Sequence, residues 1–181
     1  MRKLLVILGM PGSGKDTQIE SLQKRKKIEV IKVGDLVREK AKSDPAVAED
    51  LKKGDLADNS MVNELITEKI QKSSADAYII SDGFPRNIEQ ARWLYDQFEK
   101  YDIDFEGAML LKIEDNEALK RLLKRGREDD LEATIRHRLE IFHNLTDPVA
   151  EFFKSKGKLM EIDGMGTPEE VVENIRRALG W

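Results

Sequence analysis

Five apolar residues in a row, Leu4-Leu5-Val6-Ile7-Leu8, run into Gly9-Met10-Pro11-Gly12-Ser13-Gly14-Lys15-Asp16-Thr17, and this junction constrains the fold more than any other stretch. A run so short and so apolar reads as a strand buried on both faces. The glycines let main-chain N–H groups converge on an anion without obstruction. Gln18, Ile19, Leu22 and Gln23 continue a helical pattern, and that helix would turn its unpaired N-terminal donors and positive dipole end toward the same anion. Lys15 adds a full positive charge. The stretch follows the phosphate-loop pattern G-x-x-x-x-G-K-[ST] through Lys15, but Asp16 stands where Ser or Thr is expected and Thr17 follows one place later.

The remaining pattern alternates strands with helices. Further strands are expected at residues 28–33, 77–81, within 105–113 and at 158–162. Helices are expected at residues 36–42, from Pro45 toward Lys53, after a cap at Asp58, over 87–100, from Asp115 to a stop at Gly126, and from Leu131 to about Leu145. Asp147-Pro148 then reads as a restart. Thr167-Pro168-Glu169-Glu170 reads as a capping box with proline at the first helical position. Gly34-Asp35 reads as a turn. Five strands separated by helices make a mostly parallel sheet covered on both faces, with any ligand at the carboxyl ends of the strands. The block 34–73 falls between the second and third strands and reads as an inserted helical lobe. Trp93, Phe142, Phe152 and Phe153 read as core, and His137 and His143 as plain helix surface.

A chain of 181 residues suits one domain, burying roughly 70% of its unfolded surface. Charged residues make up 36% of it, yet the net charge is only -4. Both signs are therefore spread over the surface, which argues against a general nucleic-acid or membrane-surface binder and leaves room for a local arginine cluster around a small polyanion. The absence of cysteine removes disulfides, thiolate metal sites and thiol nucleophiles. The apolar run before Gly9 is too short for a secretory core or a membrane span, so the cytosol is the expected compartment.

Three motifs together resemble the adenylate kinase branch of the nucleoside monophosphate kinases, in order over the whole chain. They are residues 9–17, Asp82-Gly83-Phe84-Pro85-Arg86 with Gln90, and Arg127-Glu128-Asp129-Asp130 with Arg138. The resemblance implies a three-layer α/β/α phosphate-loop fold on a five-stranded parallel sheet, with 34–73 as the acceptor-binding lobe and about 125–130 as a minimal lid. It implies reversible magnesium-dependent phosphoryl transfer from ATP to AMP, giving two ADP. Gly12, Ser13, Gly14, Lys15, Asp16 and Thr17 would hold the ATP phosphates, with Arg121 and Arg125 on the ATP side and Gly166 against its adenine. Val33, Arg38, Gly54, Asp55, Leu56, Ala57, Gly83, Phe84, Pro85, Arg86 and Gln90 would form the AMP site, and Arg127 and Arg138 would lie between the nucleotides. Asp82, directly or through water, and Thr17 would hold magnesium. Transfer between two nucleotides asks for positioning, charge neutralisation and exclusion of water, and guanidinium groups suit it because their planar forks pair with phosphate oxygens and stay charged.

The chain departs from the family pattern in three places. The displaced Thr17 is a family trait, but most members carry glycine where Asp16 stands. A carboxylate there could repel the nucleotide unless it points away from the loop, toward Lys15 or toward a bound metal ion. Val33 replaces a threonine that meets the adenine, whereas Gln90 resembles the adenine-reading glutamine. UMP/CMP or broad-specificity transfer is the alternative reading. Only Gly126 separates Arg125 from Arg127, where relatives insert a longer lid. A GTPase-like or purely binding module is a remote alternative, since no Asn-Lys-x-Asp guanine reader occurs. Oligomeric state is not legible.

Overall fold

The structure, a computed structural model, describes residues 1–181 except Gly54, Glu99, Glu128 and Asp129. Its sheet holds β1 (Arg2–Leu8), β2 (Glu29–Lys32), β3 (Tyr78–Asp82), β4 (Ile103–Lys112) and β5 (Leu159–Asp163). The strand order is β2-β3-β1-β4-β5, and every pairing is parallel. The connection after β1 leaves toward one edge and that after β3 toward the other, so a crevice opens over their carboxyl ends. Ile7 and Lys32 both pair in register with Asp82 there.

Nine α-helices complete the described chain: α1 (Lys15–Gln23), α2 (Val33–Ala41), α3 (Pro45–Lys53), α4 (Asn59–Lys72), α5 (Ile88–Asp96), α6 (Asp115–Arg125), α7 (Glu132–Ile141), α8 (Asp147–Ser155) and α9 (Pro168–Leu179). The alternation inside β1 explains the layers. Leu5 and Ile7 pack with Ile19 and Leu22 of α1 and Val171, Val172 and Ile175 of α9. Leu4, Val6 and Leu8 pack on the opposite face with residues of α2 to α5 and α8, including Val37, Val62, Leu94 and Phe153. Each fully buried aliphatic side chain of this kind contributes roughly 1.5–3 kcal/mol relative to exposure. A third cluster joins Met10 of the loop to Ala118 and Leu122 of α6 and Ile135 and Leu139 of α7, so the loop is seated on the α6–α7 pair.

Local chemistry sets the helix starts. Asp58 accepts from the Met61 N–H at 3.0 Å, Asn87 from the Gln90 N–H at 2.9 Å, and Thr167 and Glu170 form the capping box. Three expectations shift. Gly34-Asp35 is not a turn but the first turn of α2, where Asp35 suits the helix dipole. The helix after Asn87 ends at Asp96 instead of running to residue 100, because the Gln97 and Phe98 N–H groups turn back to Leu94 and Tyr95. The break at Asp147-Pro148 is no restart: α7 passes through a π turn, Phe142–Thr146, directly into α8, which absorbs the missing proline N–H. The core assignments of Phe142 and Phe153 hold, and Trp93 and Phe152 pack half-buried against that core.

Candidate active site

The phosphate loop bridges β1 and α1 by adopting backbone that favours glycine. Gly12 has φ +84°, and a Cβ there would come within 2.9 Å of the Ala118 carbonyl oxygen and 3.0 Å of Leu122 Cγ. Gly14, at φ 90°, is the N-cap of α1 and leaves the helix's first donors facing the crevice. Lys15 folds back over the loop, with Nζ donating to the Gly9 oxygen at 2.6 Å and the Met10 oxygen at 3.2 Å. Burial lowers the Lys15 ammonium below the usual lysine range, against the opposing pull of the Asp82 and Asp16 carboxylates. Ser13 is only 3% exposed, and its N–H donates to the Met10 oxygen at 3.1 Å within the loop.

The crevice over the sheet is a single cleft of ≈ 780 Å³. Gly12, Gly14, Lys15, Asp16 and Thr17 line it on one side. Arg38, Asp55, Leu56 and Ala57 of the inserted segment, with Val33 just before it, line another part, and Asp82, Gly83, Phe84, Pro85, Arg86 and Gln90 form the floor. Arg121, Arg125, Arg127 and Arg138 complete the wall. These residues, expected at the site from the sequence, line one cleft. Two residues stand apart from that wall: Ser13, and Gly166, which is exposed in the connection from β5 to α9, a Cβ there lying 3.0 Å from Glu170 Oε2. Gly54 and the Glu128-Asp129 pair lie outside the described residues.

The floor is rigidly built. Phe84 is fully buried, and the Phe84–Pro85 peptide is cis. Ser81 Oγ donates to the Phe84 oxygen at 2.9 Å. The Arg86 main chain is held at both ends, its N–H donating to Gln90 Oε1 at 2.8 Å and its oxygen accepting from Thr146 Oγ1 at 2.8 Å. Arg86 Nε donates to the Gly83 oxygen. Gln90 Nε2 donates to Asn59 Oδ1 at 2.9 Å, which also accepts from Asn87 Nδ2. Half of the Gln90 amide is thus committed to Arg86 and half to the start of α4. Asn59, Thr146 and Lys32 escaped sequence reasoning; Asn59 directly follows the Asp58 cap, a signal that could have marked it.

Arginine geometry on the wall is likewise fixed by carboxylates and carbonyls. Asp130, buried, accepts from Arg125 Nε at 2.9 Å and Nη2 at 2.7 Å and from the Arg127 N–H at 3.1 Å. The Arg125 hydrogen bond is the main cause holding the Asp130 carboxyl below the usual range. Asp130 orients the arginines; Leu131 caps α7 with no side-chain bond. Arg121 is braced by Glu117 at 2.7 Å and by the Gly164 oxygen, and Arg38 by Asp35. His137 and His143 are more than plain surface. His137 Nε2 meets Asp55 Oδ1 at 3.1 Å, and His143 lies between Asp147 and Asp115 at 2.9 Å each.

Asp82 supplies the test of a divalent cation. Its Oδ1 is buried without a hydrogen-bond partner at the head of the cleft, and burial raises its pKa against the pull of Lys15. No group of three or more acidic or histidine side chains that could hold a metal ion occurs among the described residues. One orphaned carboxylate beside a phosphate loop fits magnesium, which keeps most of its waters and is shared with nucleotide phosphates.

A parallel sheet with a glycine loop seated on a helix N-terminus, opening into a cleft walled by arginines on both sides, defines a phosphate-loop phosphotransferase acting on nucleotides. The family model described as "Adenylate kinase" matches residues 7–158. Proteins named adenylate kinase are similar over nearly the whole chain: one from Prochlorococcus marinus (strain MIT 9211) is 33% identical, covering 99% of this chain and 98% of its own length. One from Leptospira biflexa serovar Patoc (strain Patoc 1 / Ames) is 34% identical, covering 98% and 100%, and one from Thermus thermophilus is 33% identical, covering 97% and 96%. The chain belongs to the adenylate kinase family, nucleoside monophosphate kinases that move a phosphoryl group between ATP and AMP.

Proposed function

We propose that the cleft carries out this transfer with the donor on the loop side and the acceptor on the Arg86 side. The loop N–H groups and the N-terminus of α1 receive the β- and γ-phosphates, and Lys15 exchanges its bonds to the Gly9 and Met10 oxygens for phosphate oxygens. Arg86 and Arg38 hold the acceptor phosphate. Arg127 and Arg138 neutralise charge on the group in transit, and Arg121 and Arg125 flank the ATP. No general base is required, because the chemistry is positioning and electrostatic stabilisation.

Asp82 and Thr17 would hold magnesium, which supplies charge neutralisation on the donor phosphates when bound. Residues 34–73 act as the acceptor lobe and about 125–130 as a minimal lid. No helix among the described residues is long and apolar enough to cross a membrane, and the cysteine-free composition supports a cytoplasmic place of action. Val33 brings no hydrogen bond to the acceptor base and both halves of the Gln90 amide are already engaged; these two observations favour, as a second reading, some acceptance of UMP or CMP beside AMP.

The observation that carries the proposal is that Lys15 and Arg86 line one cleft with the orphaned Asp82 oxygen in it. Arg86→Ala tests it. The KM for AMP is expected to rise at least about tenfold while that for ATP moves less than about threefold, as for loss of a charged hydrogen bond to one substrate. Equal loss of both would move Arg86 to the donor side.

A further inference from the structure

Asp16, where the loop departs from its family, has a partner on the other half of the site. Lys32 Nζ donates to Asp16 Oδ1 at 2.8 Å. Asp16 lies in the first turn of α1, directly after Lys15, whereas Lys32 ends β2 and is the N-cap of α2, directly before Val33. Both side chains line the cleft. The pair therefore ties the donor loop to the root of the inserted segment.

An acid in the first turn of α1 competes for the positive helix end that the loop offers to phosphate, and in the shared cleft its charge repels that phosphate. The family's usual glycine poses neither problem. Of the three orientations open to Asp16 from the sequence, pointing away from the loop matches the one found: the carboxylate faces Lys32 at the end of β2. Lys32 as its partner was not legible, because it is sixteen residues away and meets Asp16 only when β2 lies beside β3.

We propose that Lys32 is a positioning residue for the donor nucleotide: its ion pair with Asp16 holds that carboxylate toward the root of α2 and cancels its repulsion of the triphosphate. The proposal rests on the reading of residues 9–17 as the ATP phosphate site. Lys32 acts through Asp16, so its importance depends on what stands at position 16. A lysine that touched phosphate directly would matter whatever stood there. With Lys32 36% and Asp16 54% exposed, water screens the pair and the effect is a matter of severalfold, far from the thousandfold loss of a direct catalytic contact.

Steady-state transfer from ATP to AMP, measured in the parent chain, Lys32→Met, Asp16→Gly and the double variant, decides the matter, with the thermal midpoint of each chain recorded beside it. Lys32→Met is expected to raise the ATP KM about fivefold with kcat changed less than about twofold, and Lys32→Arg to restore it. In the Asp16→Gly chain the same lysine substitution is expected to move the ATP KM by less than about 1.5-fold. Lys32→Gln replaces Lys32→Met if that chain does not fold. Equal increases in the two backgrounds would put Lys32 on the nucleotide itself and overturn the proposal. So would unchanged KM values with a lowered thermal midpoint, which would leave only a structural ion pair. Calorimetry with ATP on the parent chain separates the two levels: a parent that does not bind ATP removes the reading of the loop and the proposal together, whereas a parent that binds it with background-independent lysine effects removes the proposal alone.

Discussion

Lys15 is bonded to its own loop, Nζ donating to two carbonyl oxygens of residues 9 and 10, so a nucleotide offers it replacement partners and no new burial. Lys15→Met keeps the length and loses the charge. It is expected to lower the transfer rate by on the order of a thousandfold, the size of a lost electrostatic contact to a transferring phosphoryl group. A tenfold change in single-turnover transfer would show that Lys15 does not meet the transferred group. The same scale shows what sequence can and cannot reveal about the site. Lys15, Asp82 and Arg86 were legible because each sits in a short contiguous motif whose chemistry is local. Lys32, Asn59 and Thr146 were not, because their roles exist only through partners at positions 16, 90 and 86, and such distant pairings have no spacing signature.

Among the elements, the strands and most helices followed from periodicity, since β1 alternates between two cores and α9 carries a complete capping box. The junction from α7 to α8 did not. Pro148 signals a helix start, yet tertiary packing carries the helix through the π turn, where Phe142 is buried against the α6–α7 cluster. His143 sits in that turn and joins the first residue of α6 to the first residue of α8 through Asp115 and Asp147. The hydrogen bond to Asp147, then that to Asp115, raises its pKa above the usual 6.5. A histidine raised in the folded state contributes stability that is fully present below the unfolded pKa and lost as pH rises through the folded one. The thermal midpoint of the parent is therefore expected to exceed that of His143→Gln by most near about pH 5.5, and the gap to close by about pH 9. A pH-independent gap would assign His143 to packing on Phe142 rather than to charge.

At the scale of the whole molecule, two stretches of unequal length border the cleft. One is the segment 34–73, whose Asp55 reaches His137 of α7. The other is the turn between Arg125 and Glu132, pinned by Asp130 to Arg125 and Arg127. On the proposed reading of these stretches as lobe and lid, so short a lid would cover less of the transferring group than an inserted lid domain and would leave water exclusion mainly to the inserted segment. ATP hydrolysis without acceptor is accordingly expected to exceed about a hundredth of the transfer rate; a slower rate in a phosphate-release assay would show that the small turn closes the site fully.

The most direct measurement follows phosphorus resonances of magnesium ATP mixed with equimolar AMP and, in parallel, with UMP, CMP, GMP or dTMP. The expected result is ADP formed at the expense of both ATP and AMP, two for each pair consumed, with AMP the best acceptor by kcat/KM. ATP bound but never transferred to any monophosphate, or converted only to ADP and free phosphate with AMP untouched, would contradict the account.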